Sequence, residues 1–77
     1  MALIKVTKEN INEILASDKR VMIDFYAEWC GPCKMLTPVL ESIEDKINVI
    51  KVDIDKFEDL TLDYRIMSVP TLVFIKD

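Results

Sequence analysis

Val21-Met22-Ile23-Asp24-Phe25-Tyr26-Ala27-Glu28-Trp29-Cys30-Gly31-Pro32-Cys33 is the stretch from which the rest of the chain is read. From Val21 to Tyr26 it is apolar except for Asp24, the pattern of a central strand covered on both faces. A helical pattern follows from Lys34, so the two cysteines fall at a strand-to-helix junction, where backbone N–H groups lack intrahelical partners. Positive partial charge at a helix N-terminus favours a thiolate. Cys30, at the mouth of the helix, is therefore expected to have a lowered pKa and to act as a nucleophile, with Cys33 one turn deeper. Two cysteines at this spacing can also close a small disulfide ring.

Asp24 breaks the apolar run. A carboxylate in a central strand must be desolvated, neutralised or hydrogen-bonded, and desolvation raises its pKa. The alternative is a side chain at the strand's end that meets water or a backbone donor. The cysteine pair has alternatives as well. A closed zinc site needs four ligands, and the chain has two Cys and no His, so it would require carboxylates or a Cys-x-x-Cys dimer. A purely structural bridge gains little from so short a loop. Inert buried thiols fit poorly beside Gly31-Pro32 at a helix start.

The run Asp24 to Met35, with Ser68-Val69-Pro70-Thr71 downstream, resembles the thioredoxin family, and the similarity extends from the N-terminus to the last residue. It implies an α/β, thioredoxin-like fold of three α/β/α layers with a mixed central sheet, truncated after the fourth strand. On this reading residues 1–77 form a single thioredoxin-like domain lacking the last strand and the C-terminal helix. The implied function is that of a thiol-disulfide oxidoreductase, a protein-disulfide reductase using the Cys30/Cys33 dithiol. Cys30 attacks a substrate disulfide and Cys33 resolves the mixed disulfide. With no His in the chain, the resemblance makes Asp24, acting through a water, the base for Cys33. It makes Lys51 a residue that tunes the Asp24 pKa, where the residue alone reads equally as a solvated lysine. Trp29, Gly31, Pro32, Val69 and Pro70 are expected to form an apolar substrate-binding rim. The alternative for Trp29 is a core position. The resemblance further implies a cis Val69–Pro70 bond, and a Pro32 that biases the pair toward reducing work. No bound cofactor is implied beyond the redox-active Cys30–Cys33 disulfide. The implied partners are disulfide-containing proteins as substrates and thioredoxin reductase as electron donor. A noncatalytic interaction module on the same fold is the alternative.

Composition limits the remaining choices. Seventy-seven residues with 51% hydrophobic content suit one small domain with its own core. A net charge of −4, with ten scattered Lys and Arg, argues against nucleic acid. No stretch approaches the roughly 20 apolar residues of a membrane span, and Met1 to Lys5 carries no export pattern, so a cytoplasmic protein without a membrane partner is expected.

Elsewhere the chain reads as alternating elements. Ala2 to Val6 is expected as a strand, and Thr7 as the cap of a helix from Lys8 to Ala16 with Ile11, Ile14 and Leu15 on one face; Ser17-Asp18-Lys19 then turns the chain. Leu36, Val39, Leu40, Ile43 and Ile47 predict an amphipathic helix to Lys46, kinked at Pro38 or ended at Thr37. Asn48 to Val52 is a strand. Asp55 and Glu58 form a capping-box-like signal for a short helix that buries Phe57, Leu60 and Tyr64. Arg65 to Ser68 is a loop, and Thr71 to Lys76 the last strand, placed by the resemblance antiparallel beside the central one. Ending there, it forms an open edge with one face uncovered between Leu72 and Ile75. The expected consequences are self-association through that strand, rearrangement, or a shortened chain of reduced stability.

Overall fold

A computed structural model describes residues 3–5, 9, 11–16 and 20–75. The elements are β1 (Leu3–Lys5), α1 (Ile11–Leu15), β2 (Val21–Tyr26), α2 (Gly31–Glu41), β3 (Asn48–Asp53), α3 (Glu58–Asp63) and β4 (Thr71–Ile75). The Thr7 cap, the helix start at Lys8, the turn at Ser17-Asp18-Lys19, the strand ends at Ala2, Val6 and Lys76, and the side chains of Ile11 and Leu15 lie outside the described residues.

The sheet order is β1-β3-β2-β4. β3 runs parallel to both β1 and β2, and β4 lies antiparallel to β2, so the mixed sheet is as expected. All six residues of β2 are buried, which is why its sequence shows almost no alternation: it has a strand on each side and a helical layer on each face. Val21, Ile23 and Phe25 join Ile50 and Val52 of β3 on one face, against Ile14 of α1 and Phe57, Leu60 and Tyr64 around α3. Phe25 and Tyr64 meet ring to ring at 5.6 Å. On the opposite face Met22, Val49 and Leu40 form a second cluster with Leu36, Ile43 and Ile47, beneath α2. Asp24, Tyr26, Lys51 and Asp53 share that second face by strand alternation.

Two local expectations change, and a third feature adds to them. First, α2 begins at Gly31 and ends at Glu41. It continues through Pro38, but after Glu41 the bonding tightens. Ser42 N–H is shared between the carbonyls of Pro38 and Val39, and Ile43 N–H bonds to the Leu40 carbonyl. The apolar period survives this change of winding because Ile43 and Ile47 still reach the Met22 cluster from turns; Val39, by contrast, is exposed. Second, no capping box forms at α3. Phe57 is its N-cap, without a side-chain bond, because the Asp55 N–H is taken by Asp53 Oδ1 at 2.9 Å. This local Asx turn competes with the helix cap. Third, α3 closes on a Schellman pair of bonds, Arg65 N–H to the Leu62 carbonyl and Ile66 N–H to the Thr61 carbonyl. That geometry puts Arg65 at φ 54°, a left-handed conformation usually taken by glycine.

β4 is an outer strand of the described sheet. Its Val73 and Ile75 pack on the Phe25 cluster, whereas the alternating Leu72 and Phe74 face the α2 side and are exposed.

Candidate active site

β2 ends at Tyr26, and two residues later the chain turns outward through Glu28 and Trp29 before α2 begins. The turn is tied at Cys30, whose N–H bonds to the Ala27 carbonyl at 3.1 Å. Cys30 is the N-cap of α2, in extended conformation, and its Sγ accepts from the Cys33 N–H at 3.2 Å. A sulfur atom thus occupies the place where Ser or Asp oxygen usually satisfies an orphan helix donor. Pro32 sits in the first turn, where a missing N–H costs nothing. Cys30 and Cys33 are joined as a disulfide, with Cα atoms 5.3 Å apart.

The two sulfurs do not differ in depth as expected. Cys30 is 4% exposed and Cys33 2%, and both cluster with Tyr26 and Ala27, with Val69 packed against them. The exposed surface is the rim. Trp29 is 69% exposed, which excludes a core position, and Gly31 and Pro32 are exposed as well. A Cβ built on Gly31 would meet nothing within 4 Å, so this position leaves open solvent beside the disulfide. Val69 and Pro70 arrive from the loop before β4, half-buried and joined by a cis peptide bond. Of the five residues expected at the rim, Val69 packs on the cysteine cluster, and Trp29, Gly31 and Pro32 flank the cysteines in the chain.

Asp24, on β2, is fully buried, with 0% exposure. Neither carboxylate oxygen has a hydrogen-bond partner. Burial pushes its pKa up from the ordinary 3.8, and the positive charge of Lys51 opposes that shift more weakly. Asp24 therefore does not point to a hydrated strand end. Tyr26, next on the same face, also has its pKa raised, first by burial and then by Asp53, Glu28 and Asp24.

Lys51 stands opposite Asp24 in the parallel register of β2 and β3, but it is neither hydrogen-bonded to that carboxyl nor fully solvated. Its Nζ donates to Thr37 Oγ1 at 3.1 Å and lies 4.5 Å from the centroid of the Tyr26 ring. Thr37 Oγ1 in turn donates to the Cys33 carbonyl at 3.4 Å. A pocket of about 70 Å³ opens between these groups, lined by Tyr26, Ala27, Glu28, Cys33, Lys34, Thr37 and Lys51. That space is large enough for a few water molecules.

Sequence reasoning passed over two residues. Thr37 is four residues beyond Cys33, on the same helix face, and that spacing was the available signal. Asp55 accepts a bond from Trp29 Nε1 at 3.0 Å; no local pattern links residues 26 apart.

The arrangement combines a helix-capping sulfur, a disulfide that can open and close, a buried carboxyl and an apolar rim. Comparison with known proteins agrees with it. The family model for thioredoxin matches residues 2–77. The chain is 52% identical over 67 residues to thioredoxin-T of Drosophila melanogaster, covering 82% of this chain and 43% of that protein. It is 49% identical over 75 residues to the thioredoxin of Chlamydia caviae, covering 94% and 72%. Among solved structures, a point-mutant thioredoxin from Halobacterium salinarum NRC-1 superposes with a TM-score of 0.85 at 34% identity, covering all of this chain and 74% of that one. The chain thus spans less than half of the Drosophila relative and about three-quarters of the solved archaeal chain.

Proposed function

Because this chain belongs to the thioredoxin family, we propose that it is a protein-disulfide reductase working through Cys30 and Cys33. The observation that carries the reading is a disulfide whose Cys30 sulfur caps a helix and accepts the Cys33 N–H. Once the bridge is reduced, the same N–H and the helix N-terminus stabilise negative charge on Cys30 Sγ.

In the proposed reaction Cys30 thiolate attacks one sulfur of a substrate disulfide, forming a mixed disulfide and expelling the other sulfur as a thiolate. Cys33 gives its proton to ionised Asp24 through a water and attacks Cys30 Sγ. The Cys30–Cys33 bond forms, the substrate leaves as a thiolate, and two electrons have passed from the dithiol to the substrate. Asp24 suits the exchange because a buried carboxyl with a raised pKa holds and releases a proton nearer neutrality than an exposed one.

The substrate is a protein disulfide in an extended segment. Trp29, Gly31, Pro32, Val69 and Pro70 supply an apolar rest, and the Val69 backbone pairs with the segment as an added strand. Thioredoxin reductase, or a chemical dithiol, returns the electrons. The cytoplasm suits this work, since its disulfides are largely transient and catalytic. Among the described residues no helix is long and apolar enough to cross a membrane.

The test is reduction of insulin with dithiothreitol as donor, read against dithiothreitol alone. The chain accelerates the reaction, Cys30→Ser abolishes the acceleration, and Cys33→Ser accumulates a mixed disulfide visible in the intact mass. Equal rates for the chain and Cys30→Ser overturn the reading.

A further inference from the structure

Lys51 presents an unexpected choice of partner. It faces Asp24 across β2 and β3, Cα opposite Cα, and its ammonium has three donors. Both oxygens of that carboxyl are buried and unbonded. A charge-assisted bond to a carboxylate is about twice as strong as one between neutral groups, yet Lys51 Nζ lies on the neutral hydroxyl of Thr37 and over the Tyr26 ring. Thr37 is itself fixed, because its Oγ1 bonds one helical turn back to the Cys33 carbonyl. The ammonium is therefore held toward α2 and the pocket, and the carboxyl is left without a hydrogen-bonded counter-charge.

We propose that Thr37 is a positioning residue: its hydroxyl parks the Lys51 ammonium away from Asp24 and so decides whether the buried carboxyl is matched by a charge. Parked, the lysine acts on Asp24 only through space. Released, it turns to Asp24, opposite it in the register, with Glu28 of the pocket lining as the competing carboxylate, and an ion pair with Asp24 holds that carboxyl ionised. Other groups leave this balance in place. Tyr26 neighbours Asp24 on its own face of β2, Asp53 and Glu28 bear on Tyr26, Lys34 lines the pocket from α2, and β4 opposes Asp24 with Leu72. The consequence for catalysis rests on Asp24 being the proton partner of Cys33; the placement of the lysine does not.

The experiment follows the Asp24 carboxyl carbon by NMR against pH in the disulfide form, where turnover plays no part. Thr37→Val keeps the shape and removes the hydroxyl, and the Asp24 midpoint falls by about one pH unit as Lys51 turns to the carboxylate. Thr37→Ser keeps the midpoint within a few tenths of the parent. Adding Lys51→Met to Thr37→Val returns it to the parent value or above. A Thr37→Val midpoint equal to the parent's in a folded variant overturns the proposal; should that variant not fold, Thr37→Ala is read by the same criterion. The insulin-reduction profile against pH separates the two claims. An Asp24 midpoint that moves while the pH–rate profile stays fixed supports the role of Thr37 and removes Asp24 from the reaction.

Discussion

Asp24→Asn in the disulfide form isolates the cost of one buried carboxylate. The replaced side chain has nearly the same shape and is fully buried without partners in the parent, so below pH 4 two neutral groups of similar size are compared and the stabilities converge. Above that, the unfolded chain ionises Asp24 near its ordinary 3.8 while burial keeps the folded carboxyl protonated. The folded state then binds more protons than the unfolded one, and the stability of the parent falls as pH rises. The loss is about 1.4 kcal/mol for each pH unit between the unfolded and folded midpoints, and it stops above the folded midpoint. For a chain of this length that slope is about 8 °C in Tm per pH unit. Thermal unfolding of both proteins from pH 3 to pH 9 measures it. The disulfide-bonded cysteines do not titrate, and the remaining groups are common to both proteins. The expected difference curve is flat near pH 3, climbs in favour of Asp24→Asn, and levels off at the folded midpoint. Parallel curves, or a difference that grows toward acid, refute the reasoning.

Three further outcomes follow from packing and backbone geometry. Leu40→Ala deletes a buried side chain from the cluster with Met22 and Val49 and costs about 2–5 kcal/mol in urea unfolding; a loss under about 1 kcal/mol contradicts the packing of α2. Arg65→Gly relieves a non-glycine residue at φ 54° in the Schellman cap and stabilises by about 0.5–1 kcal/mol, whereas a lower Tm counts against that backbone. Asp55→Ala removes the acceptor for Trp29 Nε1, an exposed bond whose loss shifts stability by less than about 0.5 kcal/mol. It frees the single tryptophan, so its fluorescence anisotropy decays faster; an unchanged decay denies the bond a positioning role.

The near-continuous apolar run from Val21 to Tyr26 and the strand-to-helix junction at Cys30 placed the central strand, the dithiol and the alternation of elements, because burial on both faces and helix capping leave local marks in composition. The antiparallel β4 and the cis bond before Pro70 came from family resemblance, since neither hydrophobic period nor proline alone selects them. Helix ends were legible only to within a turn. Ser42 and Ile43 tighten the winding after Glu41 without interrupting the apolar pattern, and the Asp53–Asp55 turn displaced the cap expected at Asp55.

Sequence by itself determined which chemical groups are present and, through local pattern, that two sulfurs sit at a helix mouth with a carboxyl in the strand before them. Tertiary structure alone decided what each group touches: that the closed disulfide is as buried at Cys30 as at Cys33, that Trp29 leans on Asp55, and that Lys51 chooses Thr37 over Asp24. The physical reason is reach. A capping bond or a strand face is set within a few residues, whereas a long side chain with several acceptors in range is assigned only when separate elements are packed and each acceptor's distance and desolvation are fixed.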